Sequence, residues 1–220
     1  MGGADLFVVD SLSRSNVRTD RIEWVHRWSA GHANETTCMR LGRLKDELII
    51  SFPGASDFVV SKGARQAYAL PQGGTPAATI EHLIADQVLP RMLAANGRIV
   101  VHGAAVKLST TAVVLVGETG LGKSTLSAAL SSRGGFLIGD DSLVLADRQG
   151  ECHVRTTYPS VRLLPDSAGH IFPEHRGLAD VAHYTQKRRI VGDSVLRSEN
   201  GFVPVVAFYF LQPPIKGTPT

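Results

Sequence analysis

The residues best suited to chemistry form one continuous run, Gly117-Glu118-Thr119-Gly120-Leu121-Gly122-Lys123-Ser124-Thr125. The run matches G-x-x-x-x-G-K-[ST], the pattern of a P-loop, and it lies between the apolar residues 113–116 and a segment with helical spacing at 126–130. Glycines let the backbone turn its N–H groups toward phosphate oxygens, and the N-terminus of the following helix adds positive potential. The pattern therefore predicts a nucleoside triphosphate site, with Lys123 on the β- and γ-phosphates and Ser124 on Mg²⁺.

A pair of carboxylates follows the predicted P-loop helix. Asp140 and Asp141 come one residue after the short apolar segment 136–138, which is typical of a buried strand. At the end of such a strand, one carboxylate could accept the proton of an attacking hydroxyl and the other could ligate a metal ion. The residues alone leave two alternatives open: a catalytic pair, or a pair that caps a turn or only holds the metal.

Other polar residues give weaker signals. His102 lies in the predicted strand Val-Val-His-Gly-Ala-Ala-Val, and a single histidine in a strand is more often structural than catalytic. Several basic residues could bind phosphates or an acidic substrate, although no spacing distinguishes one from another. They are Arg155, Arg162, Arg176 and the cluster Lys187 to Arg189.

The elements that must position these residues change in character along the chain. Residues 4–70 have the pattern of short strands separated by turns, whereas residues 76–97 have helical spacing, with a kink predicted at Pro90. Strands are predicted at 6–9, 48–52, 57–60, 99–106, 112–116, 136–138, 143–145 and 203–211. We therefore predict a small β-rich N-terminal domain over 1–75, a bridging helix over 76–97 and a P-loop catalytic domain over 98–220.

The composition limits the kinds of protein that this chain can be. Its 220 residues are 43% hydrophobic and 20% charged, as in ordinary globular proteins. A net charge of +3 is too small to indicate nucleic-acid binding, and no apolar run is long enough to span a bilayer. Cys38 and Cys152 are the only cysteines and lack metal-site spacing. We expect a cytoplasmic protein without a signal peptide, a membrane partner or a nucleic-acid partner.

Three motifs together resemble the HPr kinase/phosphorylase family. The segments VVHGAAV, VVLVGETGLGKSTLSAALSSRGG and FLIGDDSLVL occur in the order of that family, over about residues 86–147. The segments YPSVRLLPDSAGHIF and KRRI followed by VAFYFL are similar to shorter bacterial relatives, some of which phosphorylate a serine of a lasso-peptide precursor. The resemblance implies the fold of phosphoenolpyruvate carboxykinase, an α/β P-loop core with a mixed sheet.

The resemblance also implies a role for each site residue. ATP and Mg²⁺ would be bound by the P-loop, with Ser124 and Asp141 as metal ligands and Asp140 as the general base. His102 would lie near the reacting phosphate and tune Asp140, and the two aspartates could exchange roles. The expected partner is a peptide or small protein, a lasso-peptide precursor or an HPr-like protein, that carries an acceptor serine, and a homo-oligomer is expected.

The sequence departs from the family at two places. The segment Glu174 to Leu178 resembles the second family signature EIRGLG, but Ala179-Asp180 breaks the match, so phosphorolysis activity stays open. The chain ends soon after Leu211, where family members continue with helices that pack subunits, so it is either C-terminally truncated or assembles differently. Two alternative functions stay open, a small-metabolite kinase and a non-catalytic nucleotide-sensing module.

Overall fold

The computed structural model describes residues 8–11, 21–30, 36–158, 160–174, 178–191 and 201–213. The chain divides into two compact units, Met1–Gly97 and Arg98–Thr220. The first is rich in strands, and the second combines a mixed sheet with helices. The predicted mixed α/β fold with a β-rich N-terminal region is thereby confirmed. In the described ranges, no helix is long and apolar enough to cross a membrane.

The first unit is built on one six-stranded sheet with the order β1-β6-β5-β4-β3-β2. Its strands are β1 (Val8–Ser11), β2 (Glu23–Ala30), β3 (Thr36–Leu44), β4 (Glu47–Phe52), β5 (Ser56–Val60) and β6 (Gln66–Pro71). The predicted strands at 48–52 and 57–60 are confirmed as β4 and β5. The expectation of only short strands is wrong, since β2 and β3 have 8 and 9 residues. Both strands contain many polar and charged residues, so a search for apolar runs in the sequence does not find them.

The helical segment after the first sheet has three parts: α1 (Ala77–Leu83), a π-helical turn (Ile84–Val88) and α2 (Leu89–Ala95). Pro90 lies in the first turn of α2, where its missing N–H costs little, and the π turn before it is the irregularity that the sequence predicted as a kink. Leu83, Val88 and Met92 are buried in the core of the first unit. The segment predicted as a bridge therefore contributes to that unit's core.

The second unit contains a seven-stranded sheet with the order β10-β8-β9-β16-β12-β11-β7. Its strands are β7 (Ile99–Val101), β8 (Gly103–Leu108), β9 (Thr111–Val116), β10 (Phe136–Asp140), β11 (Leu143–Arg148), β12 (Glu151–Thr156) and β16 (Val203–Phe210). All pairings are antiparallel except that of β9 with β16. The sheet is therefore mixed, as the resemblance implies.

A smaller sheet and two helices complete the second unit. The helices are α3 (Lys123–Ser132) and α4 (Pro165–Ile171), and the small sheet has the order β13-β15-β14, from β13 (Ser160–Leu163), β14 (Ala179–Asp180) and β15 (Arg188–Val191). Ala128 of α3, Leu137 of β10 and Ile190 of β15 share one apolar core. This core anchors the small sheet beside α3 and the end of β10. The sequence missed α4 because only one of its residues, Ala168, is buried.

Two neighbouring strands of the large sheet bend at the same point. The predicted strand 99–106 is divided at His102 into β7 and β8, and Asp141-Ser142 divides β10 from β11. The same antiparallel register continues across the break, from the pairing of β10 with β8 to the pairing of β11 with β7. The sheet curls there, because each strand leaves one set of neighbours and joins another.

Replacing Gly103 by Ala should destabilise the second unit at this bend. A Cβ on Gly103 would lie 2.7 Å from the carbonyl oxygen of Leu115, so we expect a loss of about 1–3 kcal/mol in the free energy of unfolding. Gly169→Ala is the control: a Cβ in α4 meets no atom within 4 Å and should stabilise by about 0.5–1 kcal/mol. Urea unfolding of the full chain measures both, and equal stability of the two variants would contradict the close approach.

Candidate active site

The predicted P-loop forms a tight turn between β9 and α3. Gly120 and Gly122 have φ angles of 92° and 84°, which side chains other than glycine rarely adopt. Gly117 is required for space, because a Cβ there would lie 2.8 Å from the carbonyl oxygen of Leu211. The first helical bond runs from the Leu126 N–H to the Gly122 carbonyl, at 2.8 Å. The strand, glycine turn and helix predicted for this segment are confirmed.

The Lys123 side chain is hydrogen-bonded to the backbone of the turn. Its Nζ donates hydrogen bonds to the carbonyls of Gly117 and Glu118, at 2.8 and 2.9 Å. The residue is 5% exposed, and burial lowers the pKa of its ammonium group. The described residues thus supply two acceptors to the ammonium group, which can donate three hydrogen bonds. An anion in the turn would supply the missing acceptor.

Asp140 lies at the end of β10, directly beside the first turn of α3. It is 6% exposed, its Oδ2 accepts a hydrogen bond from the Arg162 backbone N–H at 3.3 Å, and the Ser124 side chain lies near enough to stabilise its ionised form. Burial raises the pKa of its carboxyl group, and the Ser124 hydrogen bond and the Arg162 charge act against that rise. Its Oδ1 atom is buried and has no hydrogen-bond partner within the described part of the chain. Asp140 is thus a carboxylate with one oxygen still available.

Asp141 occupies the bend and contacts two residues of the other elements. Its φ of 70° is left-handed, an unusual and strained conformation for aspartate. Its carboxylate forms an ion pair with the Arg162 guanidinium, and its carbonyl lies 3.0 Å from the His102 Nδ1. A carbonyl only accepts, so Nδ1 carries a hydrogen and, in the neutral ring, Nε2 is an acceptor. Burial and the Lys123 charge lower the pKa of His102, which favours that neutral ring.

These residues surround one open cavity of about 140 Å³. That is smaller than the roughly 300 Å³ at which pockets for whole drug-sized ligands begin, so the cavity fits phosphate groups rather than a complete nucleotide. Its lining comprises His102, Thr119, Gly120, Gly122, Lys123, Ser124, Thr125, Asp141, Arg162, Leu163, Leu164, Ser167 and Lys187. The fixed charges of the lining are three cations, Lys123, Arg162 and Lys187, and one carboxylate, Asp141. This balance suits a polyanionic ligand.

The residues present fit a magnesium ion that is bound partly through phosphates. The Ser124 hydroxyl and the Asp140 carboxylate would be adjacent oxygen ligands, and the unpartnered Asp140 Oδ1 would gain a partner. Among the described residues, no group of three or more His, Cys, Asp or Glu side chains could hold a metal ion. Mg²⁺ commonly takes only one or two carboxylates and completes its shell with water and substrate phosphates, so this sparse ligand set is suitable.

The structure brings together most of the residues that the sequence singled out. His102, Lys123 and Asp141 line one cavity with the turn, and Asp140 lies behind Ser124. Of the basic candidates, Arg162 and Lys187 reach the cavity. The others that the structure describes have different contacts: Arg155 lies over Phe202, Arg188 pairs with Asp180, and Arg189 lies over Tyr158. Arg176, with His175 and Gly177 of the EIRGLG-like segment, lies outside the described residues.

No protein-family model matches the chain, and none of the curated proteins is similar to it. Among solved structures, the HPr(Ser) kinase/phosphatase from Coxiella burnetii matches with 20% identity, over 56% of this chain and 70% of that one, at a TM-score of 0.37. Likeness at this level does not establish a family or an activity for this chain.

Replacing Asp140 by Asn should stabilise the protein at neutral pH. Because burial raises the pKa of Asp140, the folded state holds its proton more tightly than the unfolded chain does, and ionisation destabilises the fold. This penalty is absent below the unfolded pKa, near 3.8, and is complete above the folded pKa. We expect the melting temperature of Asp140→Asn to exceed wild type at pH 8 by about 2–4 °C, the equivalent of about 1 kcal/mol, and the gap to shrink toward pH 4.

Differential scanning calorimetry across this pH range measures the gap directly. Asp147→Asn is the matched control, since Asp147 is exposed and its oxygen accepts only the Gly150 N–H of a surface turn. That bond survives in the asparagine variant, so its melting temperature should follow wild type at every pH. A variant at Asp140 that melts below wild type at pH 8 would contradict the buried-charge interpretation.

Proposed function

We propose that this protein is a phosphotransferase that uses Mg²⁺ and ATP to phosphorylate a hydroxyl group. The observation that carries the proposal is the arrangement around one cavity. A glycine turn and its lysine line this cavity together with His102 and Asp141 of the bend. Phosphoryl transfer requires little more than this: charge neutralisation of the phosphates and a group that receives the proton of the attacking hydroxyl. A module that only binds nucleotide does not need His102 and Asp141 beside the turn.

The geometry supports the exchanged roles of the two aspartates. Asp140 contacts Ser124 and is buried behind it, which suits a metal ligand. Asp141 lines the cavity, where an acceptor hydroxyl would arrive, and this suits the general base. Arg162 and His102 contact Asp141 and would hold its carboxylate in position. Bound between Ser124 and Asp140, Mg²⁺ would neutralise charge on the phosphate oxygens.

The reaction then needs one substitution at phosphorus. The acceptor oxygen forms a bond to the γ-phosphorus as the bond from that phosphorus to the β–γ bridging oxygen breaks. The electron pair of the broken bond stays on ADP, and the hydroxyl proton moves to the Asp141 carboxylate. Lys123 lies where it can follow the negative charge onto the leaving β-phosphate, after exchanging a turn carbonyl for a phosphate oxygen.

The acceptor is proposed from the sequence resemblance rather than from the cavity. We propose a serine hydroxyl of a peptide or small protein, a lasso-peptide precursor or an HPr-like protein, with the enzyme acting as a homo-oligomer. A small-metabolite kinase would use the same residues on a different hydroxyl. Leu163, Leu164 and Ser167 line the cavity without a charge and lie outside the glycine turn, and we propose that they face the acceptor in either case.

Asp141→Asn should separate catalysis from binding. Losing a general base lowers kcat by about 10²- to 10⁴-fold, whereas the affinity for Mg·ATP should stay within about threefold because the P-loop contacts remain. Asp140→Asn should instead weaken the binding of Mg²⁺, which raises the Mg²⁺ concentration at half-maximal rate. The measurement is transfer of ³²P from [γ-³²P]ATP to serine-bearing peptides encoded beside the gene, each paired with its Ser→Ala version.

Two outcomes of this assay would count against the proposal. Label on a peptide that persists in the Asp141→Asn variant would exclude Asp141 as the base. Tight Mg·ATP binding with no transfer to any peptide, protein or metabolite hydroxyl would favour a nucleotide-sensing module. Asp147→Asn removes the same charge from an exposed turn and should retain full activity.

A further inference from the structure

Among the cations of the cavity, Lys187 is the one for which the described residues supply no ion-pair or carbonyl partner to the side chain. Lys123 is held by two turn carbonyls, and Arg162 is paired with Asp141. Lys187 lines the same cavity and is partly buried, yet no carboxylate in the described ranges forms an ion pair with it. A partly buried ammonium group that faces a cavity without an anionic partner is suited to an anionic ligand.

The position of Lys187 is set by the small sheet. It directly precedes β15, which pairs with β13 along its whole length, and its own N–H donates to the Thr185 hydroxyl at 3.2 Å. Arg162, on β13, and Lys187, directly before β15, therefore reach the cavity from the same small sheet. The charge of Lys187 acts on Asp140, Lys123 and His102, so its ammonium group lies near the turn lysine as well as near the proposed metal and acid–base groups.

We propose that Lys187 is a catalytic residue that binds the γ-phosphoryl group of the nucleoside triphosphate together with Lys123. This inference rests on the proposed function, because it assigns a contact within the same transfer reaction. The acid–base end of the cavity must receive the γ-phosphate, since the attacking hydroxyl arrives there. The diphosphate remains in the glycine turn, so Lys187 touches the group that leaves with the acceptor and not the ADP product.

The chemical consequence is that two lysines, Lys123 and Lys187, bind the transferred group. During transfer the equatorial oxygens of the γ-phosphoryl carry the developing charge, as the acceptor–phosphorus bond forms and the bond to the bridging oxygen breaks. Lys123 and Ser124 approach from the turn, and Lys187 approaches from the small sheet. A cation placed on this charge in other phosphotransferases contributes a large share of the rate. The β13–β15 sheet is thus the part of the fold that completes the site.

Lys187→Gln should discriminate between triphosphate and diphosphate. We expect the affinity for the Mg²⁺ complex of β,γ-imido-ATP to fall about 10- to 100-fold, as for the loss of a charge-assisted hydrogen bond, while the affinity for Mg·ADP changes less than about twofold. The kcat for transfer should fall at least about 100-fold, and Lys187→Arg should restore part of it. Titration calorimetry gives both affinities, and the [γ-³²P]ATP assay gives kcat.

The matched control is Arg133→Gln, which removes one positive charge from the exposed end of α3 in the same unit. It should alter neither affinity. Equal losses for triphosphate and diphosphate, no loss for either, or a parallel loss in Arg133→Gln would each overturn the assignment of Lys187. Wild-type protein that binds neither nucleotide would overturn the proposed function itself. If wild type binds both but transfers to no acceptor, the comparison of the two affinities still decides the role of Lys187.

Discussion

The shared bend of two antiparallel strands is the constraint on which the candidate site depends. β7 and β8 are separated at His102, β10 and β11 at Asp141-Ser142, and the register continues across the break. Gly103 permits the bend because its α-carbon lies against the Leu115 carbonyl with no room for a side chain. The bend places His102 and Asp141 beside the glycine turn that follows β9, where they line one cavity with it.

Electrostatic strain accompanies this geometry. Burial raises the pKa of Asp140 and lowers that of Lys123, so both groups are charged at a cost to the folded state. The strained φ of Asp141 adds to that cost. Groups held in this way gain more from a suitable ligand than solvated groups do, because the ligand replaces missing partners rather than water. The apolar cores around Leu137 and Ile138 stabilise the fold and thereby offset this strain.

The small sheet and the residues next to it supply part of the cavity lining in the second unit. Without them, the glycine turn and the bend would form an open surface with Lys123 and Ser124 exposed to water. β13 brings the Arg162 N–H to Asp140 and the Arg162 guanidinium to Asp141, so one residue orders both carboxylates. Val161 and Ile190 of the same strands are buried in the apolar core that they share with α3 and β10. The apolar packing therefore sets the position of the polar side chains, since both belong to the same short strands.

The sequence by itself determined the local elements and their chemistry. The glycine turn, its lysine and serine, strand β9 and helix α3 follow from spacing alone, because a P-loop is contiguous and each residue has its role within the turn. The two aspartates and His102 could be named but not oriented, since only the register of the bend decides which carboxylate faces Ser124 and which faces the cavity. Arg162 and Lys187 could not be separated from the other basic residues, because they reach the site through pairing of β13 with β15, a contact between segments far apart in the chain. Tertiary structure decided these points for one physical reason: charge acts through space, and distances between separate strands are set by packing.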